Sequence, residues 1–267
     1  MSKIISGQLS KMTHKESTPI QYFLNLDEDS YLLTSKVGQK ITIKHTGKIT
    51  CVECGRIIKK TYSDGYCFPC TRDLPENDIC SVRPEKCQHD KGNDADRKFY
   101  EKYCNIDHYV YLSQTSGVKV GITRHFNIPS RWIDQGAMKA VIIAKVPRRI
   151  ISGQIEVVLA KKISDKTNWR KMLSGQIDVV DFPFIRRKMI EHIPKDLKQY
   201  AMYEEKVYSF IYPVESVPKK ISSHNLDKEN EFSEKLTGIK GQYLIFENRV
   251  INMRKYSGYH IEFLFED

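Results

Sequence analysis

Two short runs, Tyr109-Val110-Tyr111 and Lys119-Val120-Gly121-Ile122-Thr123-Arg124, decide the fold of the central part of the chain. Both are rich in β-branched and aromatic residues, and Ser116-Gly117 lies between them, so they predict two strands joined by a turn. A helix is predicted next, over residues 129–136, because proline is favoured at a helix start and glycine after its end. A further strand is predicted over residues 139–146. This order of elements indicates an α+β or α/β core.

A second helix is predicted from about Arg148 to Ile163. Its apolar residues recur at helical spacing and form a buried stripe: Ile151, Ile155, Val158, Leu159 and Ile163. Glu156 lies beside this stripe, so the fold brings it near Tyr111 and Arg131. A near-copy of the segment around Glu156 supplies a competing carboxylate, Asp178. The helical stripe favours Glu156.

The overall composition is that of a globular protein. Of the 267 residues, 40% are apolar and 28% are charged, which excludes a chain that is disordered throughout. The chain has no apolar run near the roughly 20 residues that a spanning helix needs, and residues 1–12 lack the apolar core of a signal peptide. We therefore expect a soluble, cytoplasmic protein with no membrane partner.

The positive charge is concentrated in one segment. The formal net charge is +10, and residues 141–171 carry eight cationic and two acidic side chains, which is more than half of this excess. Such charge predicts an anionic partner, nucleic acid (DNA or RNA) ahead of a membrane surface. A solvated helix face remains the alternative. The candidate nucleic-acid-binding residues are Arg124, Lys145, Arg148, Arg149, Lys161 and Lys162.

Four of the seven cysteines form two closely spaced pairs. In a chain without an export signal, cysteines indicate metal binding rather than disulfides. The pairs are separated by twelve residues, which is the spacing of a zinc ribbon; they consist of Cys51 with Cys54 and Cys67 with Cys70. Gly55 suits the tight turn after the first pair. Residues 56–66 are predicted to form a hairpin with a turn at Ser63-Asp64-Gly65.

The three remaining cysteines can form a second, Cys₃His zinc site. Its predicted ligands are Cys80, Cys87, His89 and Cys104. His108 and Asp94 are weaker candidates for the fourth ligand, and three scattered buried thiols remain the alternative to a site. We expect one or two zinc ions, both structural, because neither site leaves an open coordination position.

Composition divides the chain into four segments. We predict a β-rich N-terminal segment (1–50), a cysteine-rich zinc module (51–107), a core (108–200) and a β-rich C-terminal segment (201–267). Residues 222–235 have the composition of a linker. The C-terminal strands could complete the N-terminal sheet, which would make the middle of the chain an insertion.

The stretch from His108 to Ile163 resembles the GIY-YIG endonuclease superfamily, with residues 109–111 and 119–121 as its two signature strands. Tyr109 replaces the first glycine of the signature, and Lys119 replaces its second tyrosine, which places the chain in a lysine-for-tyrosine branch. The whole chain also resembles an uncharacterised prokaryotic family with a cysteine-rich zinc module. The predicted fold class is α+β: a small antiparallel β domain from the two termini, a zinc-ribbon module and a GIY-YIG-like α/β core.

This resemblance implies a catalytic set of Tyr111, Lys119, Arg131 and Glu156. Glu156 would bind one Mg²⁺ or Mn²⁺ ion, and Arg131 would hold phosphate oxygens. Tyr111 would deprotonate or position the water, and deprotonation requires that its pKa of about 10 be lowered. Lys119 is placed to lower it. Weaker candidates for polar support are Asn168 and Thr123.

Three functions compete at this stage. The first is a metal-dependent nuclease, an endonuclease that hydrolyses phosphodiester bonds of DNA or RNA. The second is a non-catalytic, zinc-containing nucleic-acid-binding protein, RNA- or ribosome-associated, and the missing second tyrosine favours it. The third is a zinc-stabilised protein-interaction adaptor, which would bind no nucleic acid at low salt.

Overall fold

The computed structural model describes residues 3–163, 166–176 and 180–266 of the chain. Within these ranges the chain forms twelve β-strands and six α-helices. The strands are β1 (Lys3–Lys15), β2 (Gln21–Leu26), β3 (Asp29–Leu32), β4 (Lys40–Ile49), β5 (His108–Gln114), β6 (Val118–Arg124), β7 (Lys139–Val146), β8 (Val207–Ser209), β9 (Glu231–Lys240), β10 (Tyr243–Phe246), β11 (Val250–Asn252) and β12 (Tyr259–Phe265). The helices are α1 (Phe68–Asp73), α2 (Asp94–Tyr103), α3 (Ser130–Asp134), α4 (Arg149–Ala160), α5 (Trp169–Ser174) and α6 (Phe182–Glu191). Asp178, the competing carboxylate, lies outside the described residues.

The chain divides into two compact units, one formed by residues 1–73 with 210–267 and the other by residues 74–209. The fold is mixed α+β with antiparallel sheets. The cysteine-rich stretch 51–107 is shared between the units, so each candidate metal cluster belongs to a different one. The four-segment division made from composition stays a prediction. Among the described helices, none combines the length and apolar character needed to cross a bilayer.

The first unit is built on an eight-stranded antiparallel sheet from both ends of the chain. The strand order is β11-β10-β9-β4-β12-β1-β2-β3. The last strand pairs with the first, with Phe265 opposite Lys3, so residues 74–209 are an insertion in the sequence of this unit. In β2 every second residue is buried, which is the period of a strand with one face on a core.

The linker predicted at residues 222–235 is wrong in its second half. Residues 231–235 begin β9, and Lys235 pairs with Lys40 of β4. Phe232 points into the core, while its neighbours Glu231 and Ser233 are exposed. A strand with one solvent-exposed face carries as many polar residues as a linker. The single buried Phe232 is too weak a signal to identify residues 231–235 as a strand from the sequence.

The second unit contains a four-stranded antiparallel sheet with the order β6-β5-β7-β8. One face packs against α4 and α6 and forms the main core of this unit, which includes Val110, Leu112, Val120, Val141, Ile143, Ile155, Leu159 and Ile190. Trp132 of α3 contacts Tyr111 and Tyr208, whose side chains lie on the opposite face from Val110 and Leu112. The hairpin, α3 and β7 follow the predicted order. Helix α4 is shorter than predicted, ending at Ala160 instead of Ile163.

Candidate functional site

The first cysteine cluster can hold a metal ion such as zinc. The sulfur atoms of its four cysteines lie within 4.8 Å of one another; these residues are Cys51, Cys54, Cys67 and Cys70. The Sγ atoms of Cys54 and Cys67 are 3.8 Å apart. Tetrahedral zinc with bonds of about 2.3 Å to sulfur places two sulfurs about 3.8 Å apart, so this spacing fits the ion without rearrangement.

Turns, rather than the predicted hairpin, shape the first cluster. Gly55 has φ +70°, a conformation that favours glycine, and its N–H donates to the Cys51 carbonyl at 3.0 Å. The turn at Ser63 is present, since the Tyr66 N–H donates to the Ser63 carbonyl at 2.8 Å. The two strands of the predicted hairpin are absent from the described residues, where segment 56–66 makes one isolated β-bridge, from Ile57 to Thr50. Ile57 is 75% exposed, so no buried face stabilises a hairpin there.

The second cluster gathers the predicted Cys₃His set in the other unit. Cys80, Cys87 and His89 have ligand atoms within 4.8 Å of one another. The Nδ1 atom of His89 lies 3.7 Å from Cys80 Sγ and 3.9 Å from Cys87 Sγ, and Cys104 Sγ is also 3.9 Å from it. Tetrahedral zinc would place sulfur and nitrogen about 3.6 Å apart. The arrangement can therefore hold a metal ion such as zinc.

The neighbouring thiols of the second cluster shift one another's pKa values in opposite directions. Hydrogen bonds with Cys104 and Cys87, together with burial, raise the pKa of Cys80. Hydrogen bonds from Cys104 and Cys80 lower the pKa of Cys87. Several thiolates cannot form side by side in a buried site without a compensating cation. A divalent ion bound here would supply that charge and allow the thiols to ionise.

The two weaker candidates for the fourth ligand, His108 and Asp94, do not belong to the group of ligand atoms at the second cluster. The Nδ1 atom of His108 lies 2.8 Å from the Ile106 carbonyl, which it reaches as a donor. Asp94 is the first residue of α2. His89 is the residue that geometry brings to the cysteines.

His108 makes the stability of the second unit depend on pH. Burial lowers the pKa of His108 from 6.5 to about 4, so the unfolded chain binds the proton more readily than the folded one. The contribution of neutral, buried His108 to the free energy of unfolding is therefore fully present above pH 6.5. It is lost as the pH falls towards 4, by up to about 3 kcal/mol. Urea unfolding of the protein and of His108→Gln between pH 7 and 4.5 should show a shallower pH dependence in the variant. Equal slopes would contradict the assignment.

Helix α4 contacts the second cluster through hydrogen bonds of Arg149 and through close packing at Gly153. The guanidinium Nη2 of Arg149 donates to the Cys80 carbonyl at 2.9 Å, and the Arg149 N–H donates to the Cys104 carbonyl at 2.8 Å. One turn later Gly153 packs against the segment Pro84–Glu85, where a Cβ would lie 2.4 Å from the Glu85 nitrogen. The cluster therefore sets the position of the helix that carries Glu156.

Tyr111 lies at the centre of the residues predicted to be catalytic. It pairs with Gly121 across the hairpin, and its ring covers that glycine. Its hydroxyl donates to Gln135 Oε1 at 3.2 Å, and both Arg131 and Glu156 act on the pKa of this hydroxyl. Gln135 was missed from the sequence, although its position four residues after Arg131 puts both on one side of α3. The structure thus brings Tyr111, Arg131 and Glu156 together.

The pKa of Tyr111 moves against the role of base. The side chain is fully buried, and burial raises its pKa above 10, while the neighbouring Arg131 opposes the rise only in part. Lys119 is buried on the same sheet face, two residue pairs along the hairpin, opposite Ser113. At neutral pH the phenol is therefore protonated and donates its hydrogen to Gln135. The lowered pKa that deprotonation by Tyr111 requires is not what this environment produces.

Gly121→Ala is expected to destabilise the protein by about 1–3 kcal/mol, because the added methyl would lie 2.7 Å from the Tyr111 ring. Gly117→Ala, in the turn of the same hairpin, is the matched control, since a Cβ there meets no atom within 4 Å. Urea unfolding of both variants measures the difference. Equal stability of the two variants would show that Tyr111 does not lie over Gly121.

Two buried hydroxyls flank the Tyr111–Gly121 pair. The side chains of Ser113 and Thr123 lie on the same sheet face, two residue pairs to either side. Neither Ser113 Oγ nor Thr123 Oγ1 has a hydrogen-bond partner among the described residues. Buried hydroxyls are normally satisfied by protein or water, so this face has hydrogen-bonding capacity for water or a ligand group. Asn168, the other weaker candidate for polar support, caps α5 instead.

The six predicted nucleic-acid-binding cations fall into two groups. Arg124, Lys145 and Arg149 have partners within the protein: the Arg124 guanidinium lies 4.6 Å from the Tyr103 ring centre, and Lys145 Nζ is 2.8 Å from Asp107. Lys145 is exposed but paired with Asp107, and the other three are also exposed: Arg148, Lys161 and Lys162. Binding of a phosphate by this group therefore rests mainly on the exposed three.

Comparison with known proteins gave one family. The family model described as "Protein of unknown function (DUF2797)" matches residues 38–261. No curated protein and no solved structure matches the chain.

Proposed function

Because the chain belongs to the DUF2797 family, whose description names no activity, we propose its function from the candidate site alone: metal-dependent hydrolysis of phosphodiester bonds in DNA or RNA. The observation that carries the proposal is that Arg131 and Glu156, from two different helices, both lie near enough to the buried Tyr111 hydroxyl to act on its pKa. A phosphate-binding cation, a metal-binding carboxylate and a hydroxyl are the groups that this reaction needs.

The order of elements supports a likeness to the GIY-YIG endonucleases. Hairpin β5–β6 is followed by α3 with Arg131, then by β7 and by α4 with Glu156. The packing of Tyr111 on Gly121 gives a steric reason for glycine at that signature position. We propose that residues 108–200 form a GIY-YIG-like core in which lysine stands for the second tyrosine.

In this proposal Arg131, Tyr111 and Glu156 have separate roles in the reaction. Arg131 holds two oxygens of the scissile phosphate and offsets the charge that builds up in the transition state. Tyr111, as a neutral phenol, positions the attacking water or a phosphate oxygen rather than removing a proton. Glu156 would bind Mg²⁺ or Mn²⁺, and such an ion supplies a polarised phosphate and a stabilised leaving oxygen. One carboxylate suits an ion that keeps most of its water.

We further propose that zinc is the ion of both cysteine clusters and that its role is structural. Four cysteines, or three cysteines and one histidine, complete a tetrahedral shell and leave no position for substrate. The first cluster would then be a zinc site of the ribbon type, built on turns. Mg²⁺ is a poor fit to either cluster, because it prefers oxygen ligands.

The experiment compares three full-length, zinc-loaded proteins on labelled single- and double-stranded DNA and RNA with Mg²⁺ or Mn²⁺. Wild type should cleave only with the divalent ion, and Glu156→Gln should lower the rate at least about 100-fold. Glu191→Gln, an exposed carboxylate of α6, is the matched control and should cleave normally. Cleavage that survives Glu156→Gln would refute the proposed site.

A second candidate, a non-catalytic nucleic-acid binder, is favoured by the raised pKa of Tyr111 and by Lys119 in place of a tyrosine. The same experiment separates the two. Salt-sensitive binding without turnover under either divalent ion would support the binder and exclude the nuclease.

A further inference from the structure

A cleft lies between the turn of hairpin β5–β6 and the segment that leads into α5. It is shallow and open to solvent, with a volume of about 580 Å³. Three cations and one tryptophan line it, and none of the lining residues that the structure describes is a carboxylate; these residues are Ser116, Gly117, Val118, Lys166, Thr167, Asn168, Trp169, Arg170 and Lys171. The local charge therefore favours an anionic ligand.

Hydrogen bonds hold the two walls of the cleft together. The Asn168 N–H donates to Ser116 Oγ at 2.9 Å, and the hydroxyls of Thr115 and Thr167 are 3.0 Å apart. At the turn itself, Gly117 has open space where a side chain would be. The cleft thus has a fixed base and an open rim on the hairpin side.

One wall offers a flat stacking surface. The guanidinium of Arg170 lies 4.2 Å from the centre of the Trp169 ring. Aromatic and guanidinium planes are the groups on which unpaired bases stack, and this stacking tolerates any base. A base inside a duplex cannot reach such a surface without leaving its own stack. The chemistry therefore favours a single strand over a duplex.

The cleft adjoins the candidate active site along two elements. Strand β6 begins at Val118 in the cleft and reaches Gly121, beneath Tyr111, three residues later, a distance of about 10 Å. On the other side, Met172 of α5 packs against Gly136 at the end of α3, the helix of Arg131. A strand with one phosphate at Arg131 can thus reach the cleft within a few nucleotides.

We propose that this cleft binds the single-stranded part of a nucleic-acid substrate. Lys166 and Lys171 hold its phosphates, and one base stacks on Trp169 and Arg170. The inference rests on the proposed function, because it assigns to that function a single-stranded substrate and the surface that grips it.

The test measures binding by full-length protein without divalent ion, so that catalysis plays no part. The probe is a 12-nucleotide labelled oligothymidylate, compared with a duplex of equal length and with thymidine monophosphate. The chain has two tryptophans, and Trp132 is fully buried. Quenching of tryptophan emission by the oligonucleotide would therefore report on Trp169, and Trp169→Phe should abolish most of it while retaining most of the affinity.

Trp169→Ala should weaken binding of the oligonucleotide at least about 5-fold. The double variant Lys166→Ala with Lys171→Ala should also reduce the salt slope of binding by roughly 1.4, at about 0.7 per lost phosphate contact. A double variant with the same loss of charge, Lys188→Ala with Lys195→Ala, is the control, since both lysines are exposed elsewhere in the same unit. It should bind with the wild-type slope.

Three results would overturn the inference. If wild type binds the strand but all cleft variants bind like the control, the cleft is wrong while the proposed function stands. If the duplex or the mononucleotide binds as tightly as the strand, the single-strand assignment is wrong. If wild type binds no nucleic acid at low salt, the inference and the proposed function fail together.

Discussion

Cys104→Ser is expected to destabilise residues 74–209 by about 5 kcal/mol or more, because a structural zinc ion contributes roughly 10–16 kcal/mol to folding. Among the residues that the structure describes, the apolar contacts at this cluster are few and consist of its three cysteines with Phe99, Tyr100 and Ile150. So small a core cannot replace the lost ligand. Chelation of the metal from wild type should have the same effect.

The loss should extend into α4. Arg149 donates to the carbonyl of Cys80, and its N–H donates to the carbonyl of Cys104. When the cluster opens, these anchors are lost, so hydrogen exchange in α4 should accelerate and cleavage that depends on Glu156 should fall.

Cys54→Ser is the control, because it removes a ligand from the other cluster, in the unit of residues 1–73 and 210–267. Elemental analysis should find two zinc ions in wild type and one in each variant. Exchange in α4 should accelerate only in Cys104→Ser. A metal-free protein with full stability, or an unchanged α4 in Cys104→Ser, would contradict the structural role of the second cluster.

Arg131→Ala is expected to lower the rate of the proposed phosphodiester cleavage by about 10²- to 10³-fold, the usual effect of removing one preorganised charge donor. Arg131 is half-buried on α3, and the next residue, Trp132, is fixed in the core against Tyr111 with ring centres 5.7 Å apart. The packing of Trp132 therefore fixes the helix backbone from which the Arg131 side chain extends.

Arg131→Lys should give an intermediate rate, since lysine keeps the charge but cannot contact two phosphate oxygens at once. Arg148→Ala, an exposed arginine of the same unit, is the control and should affect binding more than the rate of the bound substrate. Single-turnover kinetics at saturating enzyme separate the two effects. An Arg131→Ala rate within a factor of two of wild type would remove Arg131 from the site.

Part of this fold is readable from short stretches of sequence. The hairpin β5–β6, the short α3 after Pro129 and strand β7 follow their patterns closely, because each pattern depends on residues a few positions apart. The hairpin predicted at residues 56–66 fails for the opposite reason. Its turn has the right residues, but a strand pair also needs a buried face, which the exposed Ile57 does not supply.

The proximity of three candidate side chains was predictable from the sequence, whereas their electrostatics were less so. Tyr111, Arg131 and Glu156 come from three separate elements, and their order along the chain predicted that they lie near one another, as they do in the structure. Their catalytic role stays a prediction. The direction in which the pKa of Tyr111 shifts could not be predicted from the sequence, because the effect of burial beneath Trp132 outweighs that of the nearby Arg131. Desolvation depends on packing from elements distant in sequence.

By itself the sequence determined which cysteines and histidine form the two clusters that could hold a metal ion, the central run of elements and the excess of positive charge, since spacing, turn chemistry and composition are local properties. Only the tertiary structure decided that the first and last strands share one sheet, that Tyr111 is buried and protonated, and that Lys166, Trp169 and Lys171 line a cleft beside the hairpin turn. These features depend on which surfaces are removed from water when distant segments pack, and no short stretch of sequence contains that information.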